Sequence, residues 1–246
     1  MTKLYTFVCA LALAFLTSCQ FSENIYINPE GAGTMEFSFD ATELMKIAGE
    51  NTSQSNERAI DSTFSFKEIF EAQSDSIAKL PEPERAALEE MKDFMVRMVV
   101  NPETNEMKFN LITEFNDANE LQDMFSKMKK LQGLSGQNVQ QNPMNNISND
   151  NYTKLSYQYD GKIFNRKVEI TDKELHQKMV DSLSETMAFY GSSSYKLNYH
   201  FPKPVKSVSN SKALFSDDKK TVTVEYDFAD YLLNPEALNL EVILED

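Results

Sequence analysis

Asn24-Ile25-Tyr26-Ile27-Asn28-Pro29-Glu30-Gly31-Ala32-Gly33-Thr34-Met35-Glu36-Phe37-Ser38-Phe39, residues 24–39, is the stretch from which the fold is read. Ile25-Tyr26-Ile27 is a short β-branched and aromatic run, and Pro29 to Gly33 supplies turn residues. Met35, Phe37 and Phe39 then alternate with polar residues. Apolar side chains at every second position share one face of a strand, so the pattern predicts a β-hairpin with one buried face.

The same pattern recurs downstream. Residues 94–100 and 107–115 flank a polar turn at 101–105, and residues 152–159 and 163–170 flank Asp160-Gly161. Between the hairpins the apolar period changes to that of a helix. One helix starts at Asp40 with Leu44, Met45 and Ile47, and ends at Gly49. Another starts at Ser65 with Phe66, Ile69, Phe70, Ile77 and Leu80, is broken by Pro81 and Pro83, and is followed by a piece over 84–92. Leu121, Met124, Phe125, Met128 and Leu131 mark a third helix, and Leu175, Met179, Leu183 and Met187 mark the longest, over 172–190. Strands over 195–201, 205–208, 221–228 and 238–244 close the chain, with a helical turn near Tyr231.

Hairpin followed by helix occurs three times without residue identity between the units, which is architecture and not a repeat. The expectation is an α+β fold: an antiparallel sheet built from hairpins, with three or four helices packed on it. Residues 25–246 read as a single domain, with mobile loops near 50–61 and 132–151, the latter rich in Gln, Asn, Gly and Ser.

Composition narrows the function. The formal charge of −14 grows by one negative unit if Lys3 is removed with an N-terminal leader. So acidic a chain argues against nucleic acid and against an electrostatic hold on anionic lipid. Of the two cysteines, Cys9 lies in that leader, which leaves Cys19 and excludes a disulfide framework or a cysteine metal site.

The leader itself has Lys3, an apolar run from Phe7 to Leu16, and then Leu16-Thr17-Ser18-Cys19. The run is too short to span a bilayer as a permanent helix and ends in small residues before a cysteine. Here the chain resembles a bacterial lipoprotein precursor. That resemblance implies removal of residues 1–18 and acylation of Cys19, first by a diacylglyceryl group on the thiol and then by a fatty acyl group such as palmitate on the new amino group. Two or more chains, at about 0.8 kcal/mol per buried methylene, make such attachment effectively permanent. Gln20 to Asn24 would form a tether of at most roughly 18 Å. Gln20 after the cysteine fits outer-membrane sorting, because Asp there is the retention signal in the best-known system.

Candidate chemistry is sparse. Ser65 with Glu68, Asp40 with Glu43, Asp117 with Glu120, and Thr171 with Glu174 hold capping-box spacing, which accounts for these acids as helix starts. His176 and His200 are far apart and in no ligand spacing. The acidic turns at Asp160-Gly161 and Asp217-Asp218 lack the alternating ligands of a calcium loop. No phosphate-binding loop, dinucleotide fingerprint or nucleophile elbow is present, so no cofactor, metal or catalytic residue is assigned. Met91, Met95, Met98, Met107, Met124 and Met128 cluster in one helix–hairpin–helix unit. Thioethers fill cores and also line adaptable apolar pockets, with Met95, Met98, Met124 and Met128 the pocket candidates. Asp61-Ser62-Thr63, Asp75-Ser76-Ile77 and Asp181-Ser182-Leu183 resemble the Asp-Ser/Thr-apolar O-glycosylation motif of Bacteroidota, which would modify Ser62, Ser76 and Ser182.

Residues 24–33 with Phe37-Ser38-Phe39-Asp40, and Phe201-Pro202 with residues 205–210 and 217–224, look like the two ends of uncharacterised Bacteroidota lipoproteins. The chain is also faintly similar to LppM-type lipoproteins of mycobacteria, which would imply lipid or glycolipid handling. These readings lead to a lipid-anchored, non-enzymatic envelope protein, held on the outer membrane and acting on an unidentified protein or lipid partner. The alternative is a binder or carrier of a lipid or other apolar molecule. A hydrolase would need a buried carboxylate pair that no spacing reveals.

Overall fold

The structure, a computed structural model, describes residues 20–43, 45, 59–121, 152–183 and 193–246. The first hairpin forms as expected, from β1 (Gln20–Ile27) and β2 (Gly33–Asp40), in register from Gln20 opposite Asp40 to Ile27 opposite Gly33. Its turn is held by Asn28, whose Oδ1 accepts from the amides of Glu30 and Ala32 at 3.0 Å each, while Gly31 takes a positive φ of 86° that favours glycine. The strand starts five residues earlier than the sequence pattern indicates. Gln20 to Asn24, expected as a tether, are part of the sheet.

That hairpin is the centre of an eight-stranded sheet. On one side of it lie β5 (Glu106–Phe115), β4 (Phe94–Asn101) and β3 (Ile60–Ser65). On the other lie β8 (Ser194–His200), β11 (Thr221–Asp227) and the two-residue β10 (Leu214–Phe215). All pairs are antiparallel except β1 with β8, which run parallel with Phe21 opposite Tyr195 and Ile25 opposite Tyr199. Of the loop expected over 50–61, Ile60 and Asp61 belong to β3, and residues 50–58 lie outside the described residues. β3 is exposed over its first four residues, so it carries no alternation to read.

A second, four-stranded sheet runs in the order β6 (Thr153–Tyr159), β7 (Ile163–Ile170), β12 (Leu240–Leu244) and β9 (Val205–Val208). It faces the β1–β8 region: Phe164 of β7 meets Tyr199 edge-on at 5.1 Å and Phe201 at 5.5 Å. Among the described residues the helices are α1 (Phe66–Ala72), α2 (Ser74–Ile77), α3 (Glu82–Glu89), α4 (Lys173–Leu183) and α5 (Phe228–Leu233). Of these, α5 closes the core beside β1, with Phe228 stacked on Phe21 at 4.2 Å and Tyr231 on Tyr195 at 4.5 Å.

The fold is thus mixed and richer in sheet than expected. It has two sheets instead of one with helices laid over it. Alternation marks a strand but not the sheet it joins, and a parallel partner leaves no local mark in the chain. The capping reading holds at Ser65, which accepts from the Lys67 amide while Glu68 accepts from the Ser65 amide. Asp117 likewise caps a 3₁₀ turn at Ala118–Glu120. At the start of α4 the amide of Leu175 is taken by Asp172 at 2.9 Å, one residue after the Thr171 that the spacing indicates.

Candidate functional site

Alternation along β1 places Phe21, Glu23, Ile25 and Ile27 on the face turned toward the second sheet, and all four are buried. A carboxylate therefore sits in the core. Alternation along β7 places Arg166 between Phe164 and Val168 on the opposing face. Glu23 and Arg166 are only 1% and 2% exposed. Arg166 Nε donates to Glu23 Oε1 and Nη2 donates to Oε2, both at 3.3 Å, and Nη1 donates to the carbonyl of Leu238 at 3.2 Å.

Three tyrosines complete the cluster. Tyr157 and Tyr199 donate to Glu23 Oε1 at 2.8 and 2.5 Å, and Tyr195 donates to Oε2 at 3.1 Å. Burial, and then the charge of Glu23, push all three hydroxyls well above the ordinary tyrosine range. Burial, the largest single influence on Arg166, opposes its charge, but Glu23 and the three tyrosine hydroxyls together outweigh it and hold the guanidinium well above its ordinary pKa. Five donors thus converge on the two carboxylate oxygens of Glu23. The cluster is a structural joint between the two sheets.

A cleft of about 750 Å³ opens beside this joint. Phe94, Phe115 and Tyr157 form part of its lining, together with the carboxylates of Asp93, Glu114 and Glu120. The lining of this cleft is therefore mixed, acids among aromatics. Among the described residues no group of three or more His, Cys, Asp or Glu is placed to hold a metal. No helix there is long and apolar enough to cross a membrane.

The residues singled out in the sequence scatter. Cys19, Met124 and Met128, and the 132–151 segment, lie outside the described residues. Met95 and Met98 share β4, but an odd spacing puts them on opposite faces. Met98 lies opposite Phe109 and Ser62, whereas Met95 is 38% exposed on the other face. These two do not line one pocket, and Met91 is plain core. Ser62, Ser76 and Ser182 are all exposed, on β3, α2 and α4 respectively, and Ser182 Oγ donates to the Met179 carbonyl at 2.8 Å. His200 stacks on Tyr26 at 4.1 Å with Nδ1 2.9 Å from Thr221 Oγ1, and burial lowers its pKa. His176 lies on α4 against Tyr152, in a separate part of the fold.

Sequence reading missed Glu23 and Arg166. The signal was present: each is a lone charge in phase with the apolar residues of its strand.

No protein-family model and no curated protein matches the chain. Among solved structures it is similar to the NMR structure of the folded domain of LppM from Mycobacterium tuberculosis. The TM-score is 0.35 at 10% identity, over 92% of this chain and 89% of that one. A likeness of this degree carries no argument about function.

Proposed function

We propose that the chain is a lipid-anchored protein of the bacterial cell envelope that acts by binding through its surface, without catalysis. The observation that carries the reading is the apolar run ending in Leu16-Thr17-Ser18-Cys19, immediately before the first residue of β1. An anchor at Cys19 would leave residues 20–246 outside the bilayer, attached by a sheet strand and not by a flexible linker. Gln20 after the cysteine supports the outer membrane as the destination. The partner is a protein or a lipid of the envelope. Exposed Ser62, Ser76 and Ser182 leave the three glycosylation motifs accessible.

The Cys19→Ala chain should leave the membrane pellet and appear in the soluble extracytoplasmic fraction. If it stays in the pellet at the level of the unaltered protein, the anchor reading fails.

A further inference from the structure

The edge of the eight-stranded sheet at which β1 begins carries an exposed apolar row. Gln20 lies opposite Asp40, Asp40 opposite Lys108, and Lys108 opposite Val99. One row further out, the Ala41 amide donates to the Met107 carbonyl at 2.8 Å, Met107 lies opposite Val100, and Val100 lies opposite Ile60. Met107 and Ile60 are 41% and 42% exposed, and Val100 is half-buried. Gln20, the residue that follows Cys19 in the chain, lies at this same end of the sheet.

We propose that this end of the sheet is a membrane-contact surface, with Ile60, Val100 and Met107 seated at the boundary between lipid headgroups and acyl chains. The inference rests on acylation of Cys19. Because β1 starts at the next residue, the acyl chains hold this end of the sheet against the bilayer with no linker to let it lift away. Contact with lipid removes from water the apolar surface that the protein itself leaves exposed.

The polar groups at the same level suit a headgroup layer. Lys108 pairs with Glu106 at 2.6 Å and Arg97 with Asp61 at 3.2 Å, and Asp40 opposite Lys108 gives these groups one more acid than base. Their long stems can lie along apolar surface with the charges in the polar layer. The β4–β5 turn beyond the row closes on itself, with Asn101 Oδ1 accepting from the amides of Glu103 and Thr104.

Methionine oxidation tests this without altering the site. Met107 and Met95 are almost equally exposed, but Met95 sits on the outer face of β4, five rows along the sheet from the Met107 row. The acylated protein, floated on phosphatidylethanolamine–phosphatidylcholine vesicles, is treated with chloramine-T, a charged water-soluble oxidant. Sulfoxide formation at each position is followed by peptide mass. The Cys19→Ala chain from the soluble fraction is the reference. Met107 should oxidise several-fold more slowly relative to Met95 on vesicles than in solution. An unchanged ratio on protein that floats overturns the contact surface and leaves the anchor standing. Protein that does not float, with a Cys19 thiol open to maleimide, overturns the anchor and the contact together.

Discussion

Glu23 in the middle of β1 and Arg166 in the middle of β7 are joined by two hydrogen bonds of 3.3 Å across 143 residues of chain, inside the core between the two sheets. The pair fixes which residue of one sheet faces which residue of the other. Ion pairs so deeply buried lose much of their Coulombic gain to desolvation. Their effect is clearest when one member is removed.

Arg166→Met should therefore destabilise the fold by about 3–5 kcal/mol, because it leaves the Glu23 carboxyl in the core without its cationic partner. Adding Glu23→Leu should recover much of that loss, since the double variant buries no charge. Urea unfolding of the parent, the Arg166→Met and Glu23→Leu single variants and the double variant measures the coupling. A double variant as unstable as the sum of the two single ones would mean that the joint acts through shape alone.

The raised tyrosines give stability an alkaline limit. Unfolded tyrosine titrates near pH 10, whereas Tyr157, Tyr195 and Tyr199 titrate well above that in the folded chain. Their contribution is complete below about pH 10 and is lost as the pH rises through the folded values, because the unfolded chain releases protons that the folded one retains. Tyrosinate absorbance and far-ultraviolet circular dichroism should show these three ionising only as the sheet signal collapses. Ionisation of every tyrosine with the sheet intact would contradict the buried cluster.

Gly33→Ala should destabilise by about 1–3 kcal/mol through overpacking. A Cβ there would lie 1.8 Å from the Tyr26 carbonyl oxygen and 2.9 Å from the Phe115 ring. The first contact is with backbone, so β1 and β2 must shift to admit it. A thermal midpoint equal to that of the parent would place the β1–β2 pairing elsewhere.

The hairpins were legible because strand alternation and turn residues are local: β1–β2, β4–β5 and β6–β7 lie close to where the pattern puts them. Polar Ser22, Glu23 and Asn24 concealed the first half of β1. They read as tether because Glu23, though in phase with Phe21 and Ile25, finds its partners Arg166 and the three tyrosines only far along the chain. The parallel β1–β8 pair and the division into two sheets depend on contacts far apart in the chain. Met95 and Met98 illustrate the opposite error, a cluster in sequence that the two-residue period of a strand splits between faces.

The most direct measurement is the mass of the N-terminal peptide of the protein extracted from its own membranes. Acylation predicts a chain that begins at Cys19, with residues 1–18 gone and the added mass of a diacylglyceryl thioether, with or without an amide-linked acyl chain. A free thiol at Cys19, or a mature N-terminus at any other residue, would contradict the anchor and with it the account of how this protein is held in place.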